Sequence, residues 1–131
     1  MTIKTENLWP DFSVEETVIS PKTILEEQIQ FLGKGTKNVL TANIRTETFE
    51  NGEIKNIFQL VAPKLDGYKY TLFTLTQKDI RPFPCKFDGE KTFSIKNKET
   101  LIERLRVVFN SDETKEIIKI LISQSMDNPK R

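Results

Sequence analysis

The chain contains no histidine. That removes the commonest general base at neutral pH, the commonest metal ligand and the usual pH switch. Ser-His-Asp and Cys-His mechanisms are therefore excluded. Cysteine occurs once, as Cys85. A single thiol excludes an internal disulfide, and a zinc site needing several Cys or His ligands goes with it. The lone thiol fits a reducing compartment. Long apolar runs are missing too, and the longest stretches are far too short to cross a bilayer. No basic start followed by an apolar segment heads the chain, so no signal peptide and a cytoplasmic location are expected. An excess of one charge is also lacking: 20 Lys and Arg face 19 Asp and Glu, for a net charge of +1. Such balance provides no global attraction to nucleic acid or anionic lipid.

At 131 residues the chain has the length of one domain with a sizeable core. The expected organisation is a single α+β domain over residues 1–131, with an N-terminal arm at 1–19 and a flexible tail at 126–131. Lys, Ile, Asn and Thr are common, as in bacterial or phage proteins from AT-rich genomes.

The pattern is organised around residues 38–77, which read as three antiparallel strands. In residues 38–49, Leu40, Ala42 and Ile44 alternate with Thr41, Asn43 and Arg45, the signature of a strand with one buried face. Residues 53–65 and 68–77 are the second and third strands. Asn51-Gly52 and Asp66-Gly67 tolerate positive φ and suit the two tight turns of a meander. Phe58, Leu60 and Ala62 point one way on the second strand, Ile57 and Val61 the other. On the third, Tyr70 and Leu72 oppose Phe73 and Leu75. Strands apolar on both faces are usually covered on both, by the chain's own helices or by another chain.

A helix is expected from Ser20-Pro21, with serine as cap and proline at the first helical position, ending at Gly33. Gly33-Lys34-Gly35 has a glycine-rich character, but it follows a helix and precedes a strand, the reverse of a phosphate cradle. Pro82 and Pro84 impose an extended edge segment. Residues 85–95 read as a second hairpin turning at Asp88-Gly89, with Phe83, Phe87 and Phe93 adding to the core. Asn97 caps a helix over 98–109, whose Leu101, Ile102, Leu105, Val108 and Phe109 form one buried stripe. A last helix over about 113–125 presents Ile117, Ile118, Leu121 and Ile122. The fold expected is α+β: an N-terminal helix, an antiparallel β-meander of 3–5 strands, and two C-terminal helices packed on the sheet as an αα-hairpin.

For function, no catalytic set, cofactor-binding motif or metal-binding motif is found. The favoured expectation is a non-catalytic protein-interaction or regulatory module with a protein partner or self-association. The candidate contact residues are Trp9, Phe12, Ile57, Val61, Phe73, Tyr70, Lys69 and Arg81. Trp9 and Phe12 either pin the N-terminal arm to the core or offer an aromatic segment to a partner. One alternative is a single-stranded nucleic-acid binder, using Lys64, Lys69, Lys78, Arg81 and Lys86 interleaved with Tyr68, Tyr70, Phe83 and Phe87. Another is a metal-dependent nuclease pairing Pro10-Asp11 with Glu53-Ile54-Lys55, although that motif needs its acids on adjacent strands. Asp66, Asp79, Asp88 and Glu90 are conceivable as a carboxylate cluster, but turn chemistry already accounts for Asp66 and Asp88.

Overall fold

A computed structural model describes residues 5–11 and 19–127. The elements run α1 (Pro21–Gly35), β1 (Thr41–Thr48), β2 (Ile54–Ala62), a 3-10 turn (Pro63–Leu65), β3 (Tyr68–Gln77), β4 (Cys85–Asp88), β5 (Thr92–Ile95), α2 (Lys98–Phe109) and α3 (Asp112–Met126). The strands form one five-stranded antiparallel sheet in the order β1-β2-β3-β4-β5. Each strand pairs with its sequence neighbour, which keeps every connection short. The architecture is thus α+β, with the N-terminal helix, the meander and two C-terminal helices.

Local chemistry sets most boundaries. Ser20 caps α1, its Oγ accepting from the Thr23 amide at 3.3 Å, with Pro21 in the first turn. α1 does not stop at Gly33. It runs two residues further, and Thr36 ends it: the Thr36 hydroxyl donates to the Leu32 carbonyl at 2.9 Å and accepts from the Leu40 amide at 3.2 Å. The left-handed turn expected of a glycine is made by Lys37 (φ 52) and Asn38 (φ 65). At the first hairpin, Gly52 takes φ 92 and the Phe49 amide donates to the Glu53 carbonyl at 2.8 Å. β2 ends at Ala62 because Pro63 opens the 3-10 turn. Asp66 (φ 57) and Gly67 (φ 72) then reverse the chain. The tip of the tail, residues 128–131, and Phe12 lie outside the described residues, while α3 reaches Met126.

The third strand corrects the expectation of two apolar faces. Phe58 lies opposite Phe73, but Gln59 lies opposite Thr71, so Leu72 is an extra residue, a β-bulge. Before the bulge Tyr68 and Tyr70 share a face with Ala62 and Leu60. After it Phe73, Leu75 and Gln77 take that face. The apolar pattern on β3 is one face with a phase slip.

That face carries the core. Ala42, Phe58, Leu60, Phe73, Leu75, Phe87 and Ile95 meet Ile24 and Leu25 of α1, Leu101 and Leu105 of α2 and Leu121 of α3. At its centre Phe58 and Phe73 stack with ring centroids 5.0 Å apart, and Phe73 and Phe87 with centroids 4.8 Å apart. Phe109 of α2 leans on Phe58 and Phe73. Among the described residues the core elements pack on the first face, and the opposite face carries Thr, Lys, Arg, Glu, Asn and Gln side chains with Ile57 and Val61. Ile57 is buried there (8 % exposed) but lies outside the core cluster, flanked across the strands by Arg45 and Thr74.

Phe73 is 1 % exposed and stacks on rings from two other strands. Truncating it leaves a void in a close-packed centre, so Phe73→Ala is expected to cost about 3–5 kcal/mol in urea denaturation. A loss below about 1 kcal/mol would show that the ring stack is not the centre of the fold.

Candidate functional site

The β4–β5 hairpin and the α2–α3 junction face one another across the covered side of the sheet. Between them and the first half of β3 lies a cleft of about 580 Å³. Its floor is apolar, formed by Leu72, Phe73, Phe87, Phe93, Val108 and Ile117. Tyr70, Glu90, Lys91, Arg104 and Glu113 stand around it. A second hollow of about 350 Å³ adjoins it and shares Phe93, Arg104 and Val107. The two basins thus have a common wall.

The hairpin tip is shaped by a ring. The Gly89 amide donates to the Lys91 carbonyl at 3.1 Å, closing the turn. A Cβ at Gly89 would stand 2.9 Å from Cε1 of Phe87. Glycine is needed here for the close approach of that buried ring. Asp88 accepts from the Thr92 hydroxyl at 2.8 Å, which braces the two short strands, and pairs with Lys86 of its own strand at 3.6 Å.

The helix side is set by caps. The Asn97 side chain accepts from the Thr100 amide, and Ser111 Oγ accepts from the Thr114 amide at 3.2 Å. This starts α3 directly beneath the cleft and places Glu113 in its first turn. Glu113 faces Glu90 of the hairpin tip. The charge of Glu90, and then the hydrogen bond the two carboxyls share, hold the Glu113 carboxyl above its ordinary range; slight burial and Glu116 add to this. On the shared wall the Arg104 guanidinium lies 3.5 Å from the centroid of the Phe93 ring. None of the ion pairs among the described residues involves Glu90, Lys91, Arg104 or Glu113.

The contact residues expected from sequence separate in space. Tyr70 lines the cleft and Phe73 forms part of its buried floor. Phe73 is therefore a core residue rather than a free contact surface. Ile57, Val61 and Lys69 lie on the opposite face. Arg81 is exposed in the loop after β3 and pairs with Asp79 at 3.8 Å. Trp9 is 74 % exposed, so its ring is not sunk in the core. Phe12 falls outside the described residues.

Lys69 and Lys86 do not share a surface with Tyr68 and Tyr70. Tyr68 and Tyr70 occupy the covered side and Lys69 the opposite side. Lys69 and Lys86 lie at opposite ends of β3, roughly 23 Å apart at about 3.3 Å per residue. Phe87 is buried. Lys55 lies over the Phe49 ring, 5.4 Å from its centroid. Among the described residues no group of three or more Cys, Asp or Glu side chains is placed to hold a metal ion.

Comparison with protein-family models, with curated proteins and with solved structures found no match in any of the three.

Two outcomes test this geometry. Gly89→Ala is expected to destabilise the chain by about 1–3 kcal/mol in thermal or urea melts, because the Phe87 ring must shift. Glu90→Gln is expected to bring the Glu113 titration back down, as followed by carboxyl NMR. A carboxyl raised on folding contributes stability that is full below its unfolded-state titration and is lost as pH rises through the raised one. Glu90→Gln should accordingly flatten that part of the stability profile, and an unmoved Glu113 titration would show that the two carboxyls do not meet.

Proposed function

We propose that this chain is a non-catalytic interaction module that takes a segment of a protein partner in the groove between its β4–β5 hairpin and its α2–α3 pair. The observation that carries this reading is the pair of adjoining basins separated by the Arg104–Phe93 stack. Two hollows on either side of one ridge, the first with an apolar floor and the second mixing Phe93 and Val107 with polar residues such as Glu99, Thr100 and Glu103, suit two side chains of a single extended segment. Val107 stands on the shared wall, is 50 % exposed, and supplies apolar surface to both.

The rim favours one kind of neighbour. Glu90 and Glu113 face each other, and no Lys or Arg among the described residues lies within ion-pair distance of either. A lysine or arginine in the bound segment would relieve that repulsion. Lys91 and Arg104 line the same cleft without pairing with them.

The test is selection of peptides from a random display library against the full chain, followed by affinity measurement on variants. Val107→Glu places a charge on the wall of both basins and is expected to weaken the selected peptides by about tenfold or more. Thr74→Glu, on the opposite face of β3, should leave them unchanged. The opposite pattern, loss with Thr74→Glu and none with Val107→Glu, would move the interaction to the other face of the sheet and end this reading.

A further inference from the structure

The two edges of the sheet are finished differently. β5 is four residues long and is followed by Lys96, the short and charged ending that discourages further pairing. β1 is eight residues long, pairs with β2 without a register shift, and contains no proline, lysine or bulge. The Phe49 amide bonds the Glu53 carbonyl, so the hydrogen-bonded positions toward β2 are the odd ones. Ala42, Ile44, Thr46 and Thr48 therefore aim their backbone N–H and C=O groups outward. None of the backbone hydrogen bonds outside the ladders involves residues 41–48 among the described residues.

We propose that β1 pairs antiparallel with β1 of a second copy of this chain, joining two sheets into one across a dyad at Thr46. Charge selects both the occupant and the register. A dyad perpendicular to the sheet keeps the covered faces of both copies on the same side, so only same-face residues can oppose one another. With the dyad at Thr46, the outward groups of Thr46 meet their own counterparts, and Ile44 meets Thr48 of the second copy. Arg45 of each copy then lies directly opposite Glu47 of the other, in the close, non-hydrogen-bonded type of pair. Sliding the dyad to position 45 sets Arg45 against Arg45, and sliding it to position 47 sets Glu47 against Glu47, both repulsive. Arg45 and Glu47 already lie on one face of β1, 3.7 Å apart, so each guanidinium stands between its own carboxylate and that of the second copy. The same symmetry brings both α1 helices, which pack on β1, to one side of the junction. α1 leaves Phe31 64 % exposed.

The experiment is light scattering after size exclusion, over a concentration series, on the full chain and on charge variants. The wild type is expected to dimerise. Arg45→Glu and Glu47→Arg alone should each weaken the dimer by about tenfold or more, since two like-charge oppositions replace two attractive ones. The double variant carrying both reversals should restore it, which a merely misfolded edge would not do. Hydrogen exchange supplies a second readout. The amides of Ile44, Thr46 and Thr48 should be protected at high concentration and exchange fast at low concentration. A monomer at every concentration overturns the inference. So does a dimer that ignores both reversals while those three amides exchange fast.

Discussion

The stack of Phe58, Phe73 and Phe87 is the contact on which the covered side of the sheet depends. Three rings on three neighbouring strands can stack only if all three point to the same face. The turn at Asp66–Gly67 by itself does not arrange this. It pairs Ala62 with Tyr68 and Leu60 with Tyr70, and carried onward that register would set Phe58 against Leu72. Phe73 and Leu75 would then stand in solvent, and Thr74 and Thr76 would enter the core. The bulge at Leu72 moves the phase by one residue and prevents this. One inserted residue thus decides which half of β3 is apolar inward. It also leaves Tyr70, on the same face but beyond the helices' cover, free to form one wall of the cleft.

The cleft is a by-product of that row of rings. Phe93 continues it onto β5, tilted against Phe87 with centroids 6.3 Å apart, and is only partly buried. The helices cover Phe58 and Phe73 through Phe109, but nothing from them lies flat on Phe93 except Arg104. A guanidinium shields a ring while remaining at home in water, so the end of the aromatic row is left accessible without becoming a bare apolar patch. Gly89 belongs to the same economy of space, since only a residue without Cβ lets the hairpin tip close over Phe87.

Much of this was legible in the residues, and the losses have physical causes. The caps at Ser20 and Asn97, the turns at Gly52 and Asp66–Gly67, and the apolar stripe of α2 are local signals, and each appears where local chemistry puts it. Gly33 looks like a stop for α1, but the Thr36 hydroxyl ends the helix three residues further on. The adjacent apolar pair Leu72-Phe73 was in plain view, but one sequence cannot distinguish a phase slip from a strand covered on both faces. The Glu90–Glu113 pair was illegible: Glu113 reads as an ordinary first-turn acid, and only the tertiary fold brings the hairpin tip to it. The same holds for a polar chain that runs from the exposed Thr46 to the buried Asn56 and Gln77. Thr46 donates to Asn56 at 2.9 Å, Asn56 to Gln77 at 3.4 Å, and Gln77 to the Asp79 and Arg81 carbonyls, fastening the proline-flanked loop to the sheet. Each of those residues alone looks like a surface polar group on a strand.

The meander order places the groove and the long edge strand at opposite sides of the sheet, and this gives the two proposals a joint consequence. The groove lies over β3, β4 and β5, the unpaired edge belongs to β1, and β2 separates them. Binding in the groove therefore does not compete for the backbone groups of β1. If two copies join through β1, their grooves stand at the far ends of a continuous sheet, roughly 40 Å apart at about 4.8 Å per strand. Two grooves held at that fixed spacing would act on a partner that carries two matching segments as one bivalent site. The second engagement is then intramolecular, and its gain is set by how well the partner's own spacing fits the gap. A partner whose segments lie closer than the gap gains nothing from the pairing. The distance across the joined sheet would therefore select partners as much as the floor of either groove does.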